Sequence, residues 1–561
     1  MRILFLTHAF NSLTQRLYVA LTALGHQISI EFDINDSVTT EAVDLFRPHV
    51  ILAPYLRRAI PEAIWREHVC LIVHPGIVGD RGPSALDWAI LKGEAEWGVT
   101  VLQAEAEMDA GPVWASETFP TRAAKKSSLY RNEVTEAAVR AVQSAIARLP
   151  DYRAGTWQPR AVPLKPMHAL MQQGDRAIAW GRDATATVLA KLNCADGFPG
   201  VRDSLFGQTC QLYDGRAFPA QGRPGELLGR AGEGVVRATA DGAVWIGHCK
   251  VEGGIKLPVS AVFPLAAELP ELDGPARDIR YEESAGVGYL HFDFYNGAMG
   301  TAACERLLAA YEAAKQRPTK VIVLLGGADF FSNGLDLNRI EAADSPPDES
   351  WRNINAMDDL CRAILNTDSH LTVSALRGNA GAGGAFLALA ADRVWARRGV
   401  ILNPHYKNMG NLYGSEYWSY LLPRRVGAEQ AAAILRHRLP LGAEAAAEMG
   451  FLDEAFGEDL AGFETETRRR AEALAEAADF ADQLREKNRR RAGDEAGKPL
   501  AAYRAEELKH MQRNFYGFDP SYHVARHHFV RKTPHSWTPR HLAIHRDLGW
   551  VVPVDTGEVS G

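Results

Sequence analysis

The sequence has no long hydrophobic run. Its longest stretch of small apolar residues, 380–391, contains three glycines, whereas a membrane-spanning helix needs about 20 consecutive apolar residues. The apolar start, residues 1–6, is followed at once by Thr7 and His8, so it is too short for the core of a secretion signal. We therefore expect no membrane partner, and we interpret residues 1–6 as a first buried strand.

Cysteine pairs and an excess of basic residues are also missing. The six cysteines are scattered along the chain without a C-x-x-C pair, which argues against a zinc knuckle and favours reduced thiols in a cytoplasmic protein. Lysine and arginine number 62 and aspartate and glutamate 69, whereas nucleic-acid-binding proteins usually carry a basic surplus. The composition predicts a cytoplasmic protein that acts on small molecules, with no nucleic-acid partner and no bound metal.

The 561 residues are too many for one ordinary domain, and the pattern of apolar and turn-forming residues changes along the chain. Apolar strands alternate with helical stretches over residues 1–160, which predicts a Rossmann-like α/β domain with a parallel sheet covered on both faces. Short, turn-rich strands predict a small OB-like β-barrel over 161–268, with a linker at 263–275. The α/β texture returns over 279–460, and 461–561 is predicted to be a helical C-terminal extension. The fold class is therefore multidomain α/β.

A histidine and an aspartate stand where α/β sheets bind ligands. His74 ends an apolar strand, and Asp109 follows 35 residues later in a loop. Ligands of open α/β sheets bind beyond the carboxyl ends of the strands, and such a pair can move protons and stabilise a tetrahedral intermediate. Taken alone, a histidine at a strand end is more often structural, so the surrounding motifs decide between the two interpretations.

Four segments around this pair occur in the order and spacing of a known family. They are Ile72-Val-His74-Pro75, Arg81-Gly82-Pro83, Gly98-Val-Thr100 and Asp109-Ala-Gly111. This set resembles the formyltransferases that use 10-formyltetrahydrofolate, and segment 161–268 is similar to the second domain of methionyl-tRNA formyltransferases. The resemblance implies that His74 and Asp109 are catalytic and that Arg81 and Gly82 contact the folate.

One position departs from that family. Ile72 stands where the family has an asparagine that helps to bind the developing oxyanion, and losing one such donor typically costs about 100- to 1,000-fold in rate. The first strand-to-helix loop should face the same crevice and offers other polar side chains. These cofactor-binding candidates are Asn11, Ser12, Gln15 and Arg16. The loop lacks the G-x-G-x-x-G pattern, so we expect no nicotinamide cofactor.

Two glycine-rich segments indicate a second reaction centre. Residues 330–336 and 377–386 each combine glycines with a turn, and such turns let backbone N–H groups converge on one carbonyl oxygen. The pair resembles the enoyl-CoA hydratase/isomerase (crotonase) family. The resemblance implies a crotonase-like domain in which the amides of Leu335 and Gly383 form an oxyanion hole for a thioester. The contacts to coenzyme A that it implies are Asn296, Ala298, Gly334 and Gly384.

The two hydratase glutamates of that family are replaced. Phe386 and His405 occupy their positions, so simple addition of water to an enoyl-CoA is disfavoured. The catalytic turn of the family is replaced by residues 410–418, which supply a hydroxyl, a carboxylate and aromatic rings. A helix cap and a surface face would explain the same residues, but their place in the fold favours a role in the site. The catalytic candidates here are His405, Tyr413 and Glu416, with Ser415 contacting the ligand.

The two modules on one chain resemble the HypX/HoxX hydrogenase maturation proteins over nearly the whole length. Supporting segments are 14–16, 414–418 and 503–523. The resemblance implies transfer of the formyl group of 10-formyltetrahydrofolate to coenzyme A and decarbonylation of formyl-CoA. The carbon monoxide would become a ligand of nickel–iron hydrogenase, which makes hydrogenase maturation proteins candidate partners.

Three alternatives stay open at this point. A formyltransferase acting on an amine would need no coenzyme A, and its crotonase-like partner would be degenerate. A noncatalytic scaffold would bind the ligands without turnover, since Ile72 and Phe386 could mark two inactive sites. His523 and His527 could also share a helical face as zinc ligands, although no nearby residue completes a ligand set and packing histidines are more ordinary.

Overall fold

The computed structural model describes residues 1–275 and 278–547. Within these ranges, three modules built on β-sheets follow one another along the chain, and a helical segment covers the third. No helix in the described part of the chain is both long enough and apolar enough to cross a membrane.

The first module is a six-stranded sheet with helices on its faces. Its elements are β1 (Arg2–Thr7), α1 (Ser12–Ala23), β2 (Gln27–Phe32), α2 (Asp36–Phe46), β3 (Val50–Tyr55), α3 (Glu62–Glu67), β4 (Cys70–His74), α4 (Ala85–Lys92), β5 (Glu96–Gln103), β6 (Val113–Pro120), α5 (Lys126–Leu129), α6 (Thr135–Ala147) and α7 (Leu149–Arg153). The strand order is β2-β1-β3-β4-β5-β6. Strands β1 to β4 are parallel as predicted, but β5 and β6 are antiparallel. The prediction of a parallel sheet is wrong at this edge. A loop without a crossover helix joins β5 to β6, as suits an antiparallel pair, and β5 also runs antiparallel to β4 although α4 lies between them in the chain.

The second module is an antiparallel sheet with one long helix against it. Its elements are α8 (Thr185–Ala195), β7 (Val201–Leu205), β8 (Gln208–Phe218), β9 (Leu227–Ala231), β10 (Gly234–Ala238), β11 (Ala243–Val251), β12 (Leu257–Pro258) and α9 (Val259–Val262). The order is β7-β8-β11-β10-β9, with β12 paired to β11. These pairings leave the sheet open within the described ranges, so closure into a barrel stays a prediction.

Segment 263–275 is packed, not free as a linker would be. The N–H of Leu272 donates to the carbonyl of Arg230, and the N–H of Arg230 donates to the carbonyl of Pro270. The segment thus runs along the edge strand β9 and pairs its exposed backbone groups, which the prolines and acidic residues of its sequence did not indicate.

The third module has two sheets that meet at the second candidate site. Its elements are β13 (Ile279–Ser284), β14 (Val287–Phe292), α10 (Thr301–Ala314), β15 (Val321–Leu325), β16 (Phe330–Ser332), α11 (Leu337–Ala342), α12 (Pro346–Leu365), β17 (Leu371–Leu376), β18 (Asn379–Gly381), α13 (Gly383–Leu389), β19 (Arg393–Arg397), β20 (Ile401–Asn403), α14 (Trp418–Val426), α15 (Ala428–His437), β21 (Leu441–Gly442), α16 (Ala443–Glu448) and β22 (Glu454–Phe456). The larger sheet has the order β13-β14-β15-β17-β19-β22 and the smaller one β16-β18-β20-β21. Apolar side chains from α10, α12 and α13 fill the core between them.

The C-terminal segment is helical as far as Arg531 and then returns to the first module; residues 548–561 of the predicted helical extension lie outside the described residues. The helices are α17 (Leu460–Glu476), α18 (Phe480–Gly497), α19 (Leu500–Tyr516) and α20 (Ser521–Arg531). Beyond them, the N–H of Ile30 in β2 donates to the carbonyl of Leu542, and His545 binds the buried carboxylate of Glu31. The chain therefore closes on the edge of its first sheet.

The tail histidines serve packing and pairing in this fold. His523 contacts the carbonyl of Phe515, and His527 lies 2.7 Å from Glu341. Within residues 1–275 and 278–547 there is no group of three or more histidine, cysteine, aspartate or glutamate side chains that could hold a metal ion.

Candidate active site

His74 and Asp109 meet at the carboxyl end of β4. Nδ1 of His74 lies 3.6 Å from Oδ2 of Asp109. Asp109 has a left-handed backbone (φ 51°), and the N–H of Gly82 donates to its Oδ2 at 3.0 Å. Arg81 donates to the carbonyl of Met108. The predicted folate-contacting pair Arg81 and Gly82 thus holds the loop that presents Asp109 to His74.

Two residues that the sequence analysis missed extend this pair. Nε2 of His74 lies 2.9 Å from Oδ2 of Asp80, and Nε2 of His168 lies 2.8 Å from Oδ1 of the same carboxylate. Asp80 is buried and directly precedes the Arg-Gly motif, a position that could have been noticed. His168 lies in an irregular segment and gave no signal. Because Asp80 accepts at Nε2, only Nδ1 of His74 faces Asp109 and the crevice.

The first strand-to-helix loop makes contact with the third module. Asn11 caps α1, its Oδ1 accepting from the N–H of Thr14. Oε1 of Gln15 accepts from Nδ2 of Asn403 at 2.9 Å. Ser12 and Arg16 lie with Asn379 of the third module around a small polar cavity, and Arg16 pairs with Glu136. Gln15 therefore links the folate-side loop directly to β20.

The structure brings together the two turns that carry the amides of Leu335 and Gly383. Gly334 has φ +77°, and a Cβ added to it would lie 3.2 Å from the nitrogen of Gly383. Neither the Leu335 nor the Gly383 amide has a hydrogen-bond acceptor among the residues that the structure describes. Two free N–H donors side by side, one after β16 and one at the first turn of α13, are an arrangement that can bind a carbonyl oxygen as it gains negative charge, and this is the oxyanion hole that the sequence predicts.

The segment with Asn296 and Ala298 braces this turn from the other side. The N–H of Asn333 donates to the carbonyl of Gly297, and Nδ2 of Asn333 donates to the carbonyl of Asn296. A Cβ on Gly384 would lie 2.1 Å from the carbonyl oxygen of Ser332. Gly384 is therefore needed for the close approach of α13 to β16, and Asn296 contributes its backbone carbonyl, which accepts from the side chain of Asn333.

Glu416 lies against the oxyanion hole. A Cβ on Gly383 would be 2.1 Å from Oε1 of Glu416. Oε2 accepts from the hydroxyl of Tyr406 at 2.6 Å and from the N–H of Ser415 at 3.2 Å, while the buried Oε1 has no partner in the described part of the chain. One carboxylate oxygen is thus anchored, and the other is available beside the Gly383 amide.

Burial and a neighbouring acid control the charge of Glu416. Burial, with Asp358 as the next cause, raises the pKa of Glu416 to about 8, and burial raises the pKa of Asp358 to about 6. Oδ1 of Asp358 accepts from the N–H of Glu416, and Oδ2 accepts from the hydroxyl of Ser415 at 2.8 Å. Ser415 was predicted to contact the ligand, but its hydroxyl is directed at Asp358 and so fixes the backbone of Glu416 instead.

Tyr406 is the hydroxyl of this site that the sequence analysis missed. Its ring stacks on Phe386 at 5.3 Å, so the residue that replaces the first hydratase glutamate supports the tyrosine that holds Glu416. The predicted Tyr413 instead stacks on His510 of α19 at 4.1 Å. Tyr406 directly follows the predicted His405, and this position in the sequence could have marked it as a site residue.

His405 lies on the side of the site that faces the first module. Both of its ring nitrogens are buried without a hydrogen-bond partner in the described ranges. Burial, with the positive charge of neighbouring groups, lowers its pKa to about 4. The imidazole is therefore neutral near pH 7, and it can donate or accept a hydrogen bond but carries no charge there.

Two protein-family models match this chain, one over the first module and one over the third module with its helical extension. A formyl transferase model matches residues 26–146, and an enoyl-CoA hydratase/isomerase model matches residues 282–539. The hydrogenase maturation factor HoxX of Bradyrhizobium diazoefficiens is 54% identical over 97% of this chain and 97% of its own length. The chain belongs to the HypX/HoxX family of hydrogenase maturation factors.

Structures of this family share the architecture described above. A crystal structure of HypX from Aquifex aeolicus in complex with tetrahydrofolic acid has a TM-score of 0.94 and 46% identity, covering 98% of this chain and 100% of that one. Methionyl-tRNA formyltransferase of Dechloromonas aromatica is 27% identical over 35% of the chain and 64% of its own length. As a HypX/HoxX protein, the chain joins a Rossmann-like formyltransferase domain to a crotonase-like domain, which confirms the predicted family and fold.

Proposed function

We propose that this protein transfers the formyl group of 10-formyltetrahydrofolate to coenzyme A and releases carbon monoxide from the resulting formyl-CoA. The gas would serve as the CO ligand of nickel–iron hydrogenase. The observation that carries the proposal is the unpartnered Oε1 of Glu416 beside the free amide of Gly383. The HypX crystal structure with tetrahydrofolic acid supports the folate half.

The first step belongs to the His74 and Asp109 site. The thiol sulfur of coenzyme A forms a bond to the formyl carbon, and the bond from that carbon to the folate nitrogen breaks. Asp109 accepts the thiol proton and returns it to the departing nitrogen. His74 acts here in its doubly protonated form: Nε2 donates to Asp80, and Nδ1 donates to the oxyanion that forms at the formyl oxygen. Tetrahydrofolate and formyl-CoA are the products.

The second step belongs to the Glu416 site. The amides of Leu335 and Gly383 donate to the formyl oxygen, and Oε1 of Glu416 takes the formyl proton as the carbon–sulfur bond breaks. Carbon monoxide leaves, and Glu416 returns the proton to the thiolate. The two steps together convert an N-formyl group into an N–H and CO, so they need no oxidant, reductant or water.

The residues around Glu416 suit the cleavage of a thioester and do not suit the addition of water to an enoyl-CoA. Phe386 is buried and apolar where a hydratase holds a proton-transferring glutamate, so the side chain at this position cannot activate water. Tyr406 holds Oε2 of Glu416 and leaves Oε1 for the substrate. Asn403 connects the two proposed sites. Its side chain donates to Gln15 of the first module, and its carbonyl accepts from the N–H of Ala382, next to Gly383.

The test is a coupled assay on the full chain. Incubation with 10-formyltetrahydrofolate and coenzyme A should release tetrahydrofolate and produce CO that binds a haem probe. The Glu416→Gln variant should release the first equivalent of tetrahydrofolate at the normal rate and produce little CO. A rate of tetrahydrofolate release that does not depend on coenzyme A would favour an amine acceptor. Binding of both ligands without any turnover would favour a noncatalytic scaffold.

A further inference from the structure

Glu507 of α19 reaches from the C-terminal extension into the centre of the third module. Its side chain is completely buried. Oε2 accepts from the N–H of Tyr417 at 3.0 Å, and Oε1 accepts from the N–H of Ser419 at 2.8 Å and from its hydroxyl. The hydroxyl of Ser415 lies 3.3 Å from Oε2. All four contacts come from the turn 415–419 that carries Glu416.

These donors require Glu507 to act as an acceptor at both oxygens. A backbone N–H can only donate, and one such donor faces each oxygen, so these bonds favour the carboxylate form. They oppose burial, which raises the pKa of Glu507 to about 8. Unlike Glu416, the side chain has no oxygen available for a substrate. Glu507 therefore does not belong to the reacting groups, and its function concerns the turn.

The turn needs such support because its backbone is strained. Glu416 has φ 59° and Tyr417 has φ 58°, values that non-glycine residues rarely adopt and that persist only where the surroundings enforce them. Asp358 binds the turn from α12, through the N–H of Glu416. Glu507 binds it from α19, through the N–H groups that follow. The two acids hold consecutive amides of one turn from two helices.

We propose that Glu507 is a positioning residue for the release of carbon monoxide: it holds the turn 415–419 so that Oε1 of Glu416 faces the amide of Gly383. This inference rests on the proposed function, because the decarbonylation step is the one that uses Oε1. By this inference the C-terminal extension positions a catalytic group, in addition to covering the crotonase-like domain.

The charge of Glu507 also acts on Glu416. The titratable and charged groups around the Glu416 carboxyl are Asp358 and Cys361 on α12, Cys304 on α10, Glu507 on α19 and Tyr406, with Arg504 of α19 pairing with Asp358. After burial and Asp358, Glu507 is a further acid that raises the pKa of Glu416. Removing its charge should lower that pKa and shift the pH profile of CO release to lower pH.

The experiment compares Glu507→Gln with Glu506→Gln in the full chain. Glu506 is the adjacent exposed acid and pairs with Lys498, so its substitution removes the same charge without touching the turn. In Glu507→Gln the new amide nitrogen meets an N–H or a hydroxyl that needs an acceptor, and the turn must shift. We expect kcat for CO to fall about 10- to 100-fold, as the loss of one or two charged hydrogen bonds implies. Release of the first equivalent of tetrahydrofolate and KM for coenzyme A should stay within about twofold.

The second readout does not depend on catalysis. The infrared band of the protonated Glu416 carboxyl, assigned by its disappearance in Glu416→Gln, should titrate at lower pH in Glu507→Gln than in the wild type or in Glu506→Gln. An unchanged midpoint together with equal losses of folate release and CO would mean that Glu507 only stabilises the fold, and would overturn the inference. If the midpoint is lower in Glu507→Gln but the wild type itself makes no CO, the contact is supported and the proposed function is refuted.

A third variant covers poor folding of Glu507→Gln. Ser419→Ala removes one donor to Oε1 and keeps the charge of Glu507. It should lower CO output by a few fold, with folate release and the infrared midpoint unchanged. Full CO output from Ser419→Ala would contradict the proposal, whether or not Glu507→Gln folds.

Discussion

Replacing Gly383 with alanine should separate the two proposed steps. The added Cβ would lie 2.1 Å from Oε1 and 2.5 Å from Cδ of Glu416, and real Cβ atoms essentially never approach closer than 3.0 Å. The carboxylate must therefore move by about 1 Å away from the oxyanion hole, a misplacement that can cost about 100-fold in rate. We expect CO release to fall by about that factor, while the first equivalent of tetrahydrofolate is released normally.

The fold should tolerate this change. Gly383 begins α13 with an ordinary backbone, and alanine is a better helix former than glycine by about 1 kcal/mol, so the melting temperature should not fall. Gly493→Ala is the matched control, because it makes the same substitution in helix α18 with nothing within 4 Å of the new Cβ. The assay is CO binding to a haem probe together with tetrahydrofolate absorbance. Normal CO output from Gly383→Ala would refute the placement of Glu416 at the oxyanion hole.

Three further changes test other contacts. Tyr406→Phe removes a hydrogen bond that lowers the pKa of Glu416, so the rise of CO release with pH should shift upward; an unchanged profile would count against the contact. Asp80→Asn should slow tetrahydrofolate release about 10- to 100-fold by freeing the ring of His74, with CoA affinity unchanged in calorimetry. Glu31→Gln should destabilise the chain by about 1–3 kcal/mol and speed proteolysis of the C-terminal segment, and a resistant segment would contradict its anchoring role.

The sequence located the candidate reacting groups better than the side chains that hold them. His74, Asp109, Leu335, Gly383 and Glu416 stand in short motifs whose order along the chain reflects a fold. The structure brings them into two clusters, and their catalytic roles stay predictions. Their partners come from distant segments and have no motif of their own. A buried acid in a helix shows its function only when the fold reveals which backbone amides it faces.

Two corrections have the same cause. Ser415 and Tyr413 were chosen because a hydroxyl near a catalytic turn is useful, but the sequence does not specify the direction of a side chain. The Ser415 hydroxyl donates to Asp358, and the ring of Tyr413 stacks on His510 of α19. The antiparallel edge of the first sheet was missed because β5 is buried and apolar in the same way as its parallel neighbours.

The return of the C-terminal segment to β2 has a consequence for dissecting the protein. Thr538, Leu542 and His545 complete the hydrogen bonding of an edge strand some 500 residues earlier in the chain. Removing residues 538–547 would therefore expose the edge of the sheet that carries His74 and Asp109. A loss of activity in such a truncated protein would report the loss of these edge contacts, and not a chemical role for the removed residues.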